Sequence, residues 1–236
     1  MSAKFEPRVV LPAVVGLFVA AVILYLVIPR TIAAFILYPE TATLRQIQKG
    51  NPVDAFGMGG LVRSRRAAMA WVDDGRIATD LALAELLMAE AKGDGSRRDP
   101  ALVAAAITAA SEGLARAPLN PHAWARLAYA RSLRDGLSRG VATDLKMSIF
   151  TGPHEPRLVF SRLALSLRDW RNFSPADRDL LLRQVRFAWD VSPDKLIKVT
   201  QETGAIGIVL IALARDPEDL KKFIALLRLP KPYSTD

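Results

Sequence analysis

Residues 9–29, VVLPAVVGLFVAAVILYLVIP, contain no charged side chain. At about 1.5 Å of rise per residue such a run spans roughly 30 Å, the thickness of a bilayer's hydrocarbon core. Lys4 and Arg8 precede it and Arg30 closes it. A secretory signal is the competing interpretation, but its apolar region is only about 7–15 residues long and ends at a small-residue cleavage site. Here TIAAFILYP carries the apolar character on to Pro39. The expectation is an uncleaved tail and transmembrane anchor over residues 1–39. Positive charge barely distinguishes the two flanks, with Lys4 and Arg8 before the run and Arg30, Arg45 and Lys49 after it. A short N-terminal tail before a long soluble region favours a single-pass protein of a bacterial inner membrane, its soluble part in the periplasm.

Beyond the anchor, apolar residues recur at intervals of three and four, the helical period, and almost nowhere alternate. Residues 40–60 read as a short helical stretch and then a turn-rich linker, GNPVDAFGMGG. From Leu61 helices follow one another closely to residue 230, leaving a tail at 231–236. Asp99-Pro100 and Ser174-Pro175 each place a capping side chain before a proline at the first helical position. Links of a few residues between amphipathic helices make antiparallel neighbours. The sequence therefore predicts an all-α chain of antiparallel helix pairs. It has no cysteine, which excludes disulfides and thiolate metal sites.

The pairs repeat. Trp124, Leu127 and Ala128 match Phe160, Leu163 and Ala164 at a common offset of 36, each set after a proline-bearing turn, RAPLNP or TGPHEP. Large side chains at the first two positions fill the space between paired helices, and the small one permits close approach. The segment GLARAPLNPHAWARLAYARSLRDG resembles the tetratricopeptide repeat family, with Pro118, Trp124, Leu127 and Ala128 on its motif positions. It departs at Arg131, where that family carries an aromatic. The resemblance implies a solenoid of helix pairs whose concave face binds peptides or partner proteins. Residues 100–192 are also similar to small membrane-anchored helical-repeat proteins of bacterial exopolysaccharide systems, which implies a non-catalytic accessory to envelope assembly or export.

Nothing in the chain converges on a reaction. His122 reads as an exposed first-turn residue of a repeat helix, and His154 sits in a turn. GMGGLVRSRR lacks the lysine and the preceding strand of a phosphate loop. Asp73 and Asp74 are adjacent, so a helix would not aim them at one point. Trp71, Trp124, Trp170 and Trp189 fall at helical spacing, which favours core packing over a sugar-binding platform. Residues 205–214 are uncharged but too short to span a membrane, and read as a buried or capping helix. No catalytic residue, metal site or cofactor is expected.

The formal charge is +8, and +6 remains beyond residue 39 once Lys4, Glu6, Arg8 and Arg30 are set aside. Without a nucleic-acid motif or a basic stripe interleaved with aromatics, nucleic acid is not an expected partner. Arg63, Arg65 and Arg66 could touch anionic lipid headgroups. Arg126, Arg131, Arg157 and Arg162, on the first helices of the pairs, are expected to line a partner-binding side. The expectation is a membrane-anchored scaffold for other membrane or envelope proteins. The alternative is a carbohydrate-binding or enzymatic subunit of a membrane polysaccharide complex, using arginines and tryptophans of the groove.

Overall fold

Helix α1 (Pro7–Leu37) is longer than the apolar run that starts it. The computed structural model describes residues 7–92 and 98–228. The tail at 231–236, Lys4 and the GDGS segment lie outside the described residues. An 18-residue window of the N-terminal helix has a mean hydropathy of 2.8 and no buried residue, so it is long and apolar enough to cross a membrane. Pro29 supplies no amide hydrogen to the ladder. Just past it, Arg30 Nη1 donates back to Leu26 O at 2.7 Å and Thr31 Oγ1 to Val27 O at 3.0 Å.

The remainder is helical, and no strand occurs among the described residues. A 3-10 turn (Tyr38–Glu40) leads to α2 (Thr41–Gln48), α3 (Ala55–Met69), α4 (Gly75–Lys92) and α5 (Pro100–Arg116). Next come α6 (Pro121–Asp135), α7 (Arg139–Thr151) and α8 (Pro156–Arg168). A second 3-10 turn (Trp170–Asn172) precedes α9 (Pro175–Val191), α10 (Pro193–Thr203), α11 (Ile206–Leu213) and α12 (Pro217–Arg228). The prolines that begin α5, α6, α8 and α9 follow capping side chains. Asp99 accepts from Ala101 and Leu102, Asn120 from His122 and Ala123, Glu155 from Arg157, and Ser174 from Asp177. Each cap satisfies amide hydrogens that a first turn leaves open, and the fixed φ of proline suits that turn.

Two features of the linker region differ from expectation. Residues 55–60 are the first turns of α3, started by Asp54, whose carboxylate accepts from Gly57 N at 2.8 Å. Gly60 leaves room for the Glu40 carboxylate, which a Cβ there would push aside. Moreover α1 does not end in a linker. Its last turns pack on the soluble part: Ala33 is buried with Ala68 and Ile77, and Ile36 and Leu37 lie against Met69 and Val72.

Sequence neighbours pack together from α3 through α7, and so do alternate helices: α4 with α6, α6 with α8, α8 with α10, α7 with α9, α9 with α11. The core accordingly passes along the chain as linked clusters. One joins α3–α6 around Leu61, Leu81, Ala110 and Leu127; another joins α8–α12 around Leu163, Val185, Trp189 and Phe223. Helix α11, within the uncharged segment 205–214, buries Val209, Ala212 and Leu213 but leaves Ile211 exposed. Of the four tryptophans only Trp189 is deeply buried. Trp71 is 49% exposed, because α3 stops at Met69 and leaves it in a turn. Trp170 lies in the second 3-10 turn with Arg178 stacked over it at 5.4 Å.

Candidate functional site

Helices α4, α6 and α8 wall one cleft made of two adjoining cavities. The larger, about 880 Å³, lies between the N-terminal halves of α4 and α6, the α5–α6 turn, and Arg157 and Leu158 at the start of α8. The smaller, about 240 Å³, continues along the same helices and is mainly leucine-lined. Leu83, His122, Arg126 and Leu158 border both. On α4 the lining residues Arg76, Asp80, Leu83, Leu87 and Glu90 recur at four and three, so one stripe of the helix faces the opening.

Burial and charge divide the cleft's polar groups into committed and free. Arg126 donates from Nη1 to Thr79 O and lies 3.4 Å from Asp80 Oδ1; burial lowers its pKa and the Asp80 charge opposes that. Arg162 is 1% exposed and donates to Ser148 O at 2.8 Å, Gly152 O at 2.9 Å and Glu155 O at 3.4 Å. Burial brings it down to about 10, with Glu155 opposing, so it remains a cation at neutral pH. The Tyr129 hydroxyl donates to Glu90, and burial together with that carboxylate pushes it up to about 12. His122 is half-buried, which favours its neutral form, and Arg126 adds to that downward shift. By contrast Arg76 and Arg157 are exposed and form no ion pair with any described residue. They are the open cations at the mouth of the larger cavity.

Several expected positions land elsewhere. Arg126, Arg157 and Arg162 reach the cleft, but the two terminal nitrogens of Arg162 are engaged by backbone carbonyls and only its buried Nε lacks a partner. Arg131 binds Asp144 Oδ2 at 2.7 Å, away from the cleft lining. His122 occupies the first turn of α6 as expected, yet it faces the cleft instead of open solvent. Of Arg63, Arg65 and Arg66, the first and last are exposed. Arg65 is buried, near Asp80 and Glu40, and Arg66 binds the buried Glu85 at 2.7 Å. Arg63 stacks over Phe56, 6.0 Å from its ring centre.

Among the repeat positions Leu127, Ala128 and Leu163 are buried, while Trp124, Phe160 and Ala164 are half-buried. Trp124 Nε1 donates to Pro118 O at 2.8 Å, so this proline's carbonyl holds the indole in place. No tryptophan lines the cleft. Among the described residues no three His, Asp or Glu side chains gather as a metal ion would require. Sequence reasoning missed Arg76, Asp80, Tyr129 and Glu90; the four-and-three stripe on α4 was the available signal. Comparison with known protein families, with characterised proteins and with solved structures gives no match.

Proposed function

We propose that the chain is a single-pass membrane scaffold whose tetratricopeptide-like helical array holds a segment of another membrane or envelope protein in the cleft of α4, α6 and α8. The observation carrying this is the pairing of two exposed cations, Arg76 and Arg157, at the larger cavity with the leucine-lined cavity that adjoins it. Such a surface offers carboxylates a charge-assisted bond and apolar side chains a place to leave water. The array reading is supported by burial repeating at the offset of 36: Ala123 with Val159, Leu127 with Leu163, Ala130 with Ser166. It is supported also by the contacts between alternate helices.

The test is the double variant Arg76→Glu/Arg157→Glu in the full chain, purified from native membranes alongside the parent. Both side chains are exposed and form no ion pair among the described residues, so circular dichroism and the melting temperature are expected to stay unchanged. Co-purifying proteins are expected to be lost, and more completely at low than at moderate salt, because screening weakens the attraction that the parent uses. An unchanged set of co-purifying proteins removes the cleft from partner binding.

A further inference from the structure

We propose that one edge of the helical array rests in the interfacial layer of the bilayer that α1 crosses, with Trp71, Leu119 and Phe150 entering it. The argument begins with how α1 meets the domain. Ala33 packs on Ala68 near the end of α3, whereas Glu40 lies at Gly60, one to two turns from its start. Helix α3 therefore runs antiparallel to α1, back toward the span. Three residues beyond Ala68 is Trp71 and three before Ala33 is Arg30, each a step of about 5 Å. The α3–α4 turn thus stands at the level of Arg30, where the uncharged run ends.

The turns that follow on the same side form a continuous row. Arg116, ending α5, bonds to Asp73 of the α3–α4 turn, and Gly75 and Gly113 are in backbone contact. Ser148 Oγ, near the end of α7, donates to Pro121 O at 2.7 Å, and Gly152 lies directly against the Pro121 ring. Helices stacked side by side present their ends along a line across the stacking direction. With α1 along the membrane normal, that line runs over the bilayer surface.

This row carries large apolar side chains that the protein itself does not cover. Trp71 is 49% exposed, Leu119 74% and Phe150 72%, one at each successive turn or the helix end leading into it. Aromatic and aliphatic residues at headgroup depth are the usual anchors of a protein's membrane face. Because the anchor passes into the domain without a linker, the surface in reach is the bilayer of α1 itself.

The proposal rests on α1 spanning the membrane, and the experiment separates the two. The chain has no cysteine, so single-cysteine variants of the full protein carry one nitroxide label each. Labels go at Ala20, Leu119, Phe150 and, on the opposite edge in the α6–α7 turn, Leu137. The protein is reconstituted into phosphatidylcholine vesicles, and each label's accessibility to oxygen and to an aqueous nickel chelate is measured. The Ala20 label is expected to be deep in lipid, and the Leu119 and Phe150 labels at interfacial depth. The Leu137 label is expected to stay in water. A water-exposed Ala20 label overturns the spanning reading and with it this one. A lipid-embedded Ala20 label with 119 and 150 in water overturns the edge proposal alone. Labels at 119 and 150 shielded from both reagents would show that a protein covers the row, which also overturns it.

Discussion

Helices α6 and α8 carry matching sequence positions 36 residues apart, yet the arginines at those positions do different work. Arg126 of α6 reaches outward across the cleft to α4, to Thr79 O and Asp80. Arg162 of α8 turns into the protein and closes the carbonyls of the α7–α8 turn. The turns before them differ in how their backbone oxygens are satisfied. Trp124 donates its indole N–H to Pro118 O, whereas its counterpart Phe160 has no donor to give. Three carbonyls at the α7–α8 turn are met by the buried guanidinium instead, which also places a cation at the C-terminus of α7. The two helices thus share buried positions at this offset while using their polar groups differently.

That contrast can be broken first at the arginines. Arg162→Met leaves buried carbonyls without donors and is expected to cost roughly 3 kcal/mol, against about 1 kcal/mol for Arg126→Met, whose partners can turn to water. Unfolding of the full chain in detergent, followed by circular dichroism, measures both; equal losses would erase the distinction.

A second, smaller effect concerns Arg131, which stands opposite Leu167 in the repeat register. Asp144 is 3% exposed, and its pKa is raised by burial even with Arg131 bonded to it. Arg131→Ala strands that carboxylate and is expected to cost about 1–3 kcal/mol. Adding Asp144→Asn should restore part of the loss, and a double variant no better than the single one would place the cost elsewhere than in the pair.

The smallest effect is that of pH at His122, whose counterpart in α8 is Leu158. Its pKa lies below the ordinary 6.5, because burial and then Arg126 disfavour the imidazolium. As pH falls through 6.5 the unfolded chain takes up a proton that the folded chain refuses, so stability declines with acidification until the lower folded pKa is reached. His122→Leu, which copies α8, should flatten that part of the acid limb. An unaltered limb in a stability-versus-pH series would show that His122 contributes no such linkage.

Much of the architecture was legible because helix punctuation is local. Asp99-Pro100 and Ser174-Pro175 announce their helices through caps and a fixed φ, and both are found capped. Gly57, Gly59 and Gly60 misled for a corresponding reason: glycine marks turns, but here Gly60 makes room for Glu40, a contact that depends on packing from another element. Trp71 misled because its helical spacing continues past the point where α3 stops. The arginines were the least legible. Sequence shows a positive charge but not whether a guanidinium is spent on a carbonyl, as in Arg162, or left open, as in Arg157. The cleft needed the fold to assemble residues of α4, α6 and α8 on one side.

Helix α1 passes from its apolar run to its contact with α3 without a loop, Pro29 standing between the two. A continuous helix carries angle as well as position. On the proposed spanning of α1, a tilt that a bilayer imposes on the span, through its thickness or its neighbours, is passed on to the cleft by way of Pro29. The cleft of the proposed scaffold would then be held at a short, restricted distance from the membrane. A partner embedded in the same sheet would meet it by a search in two dimensions.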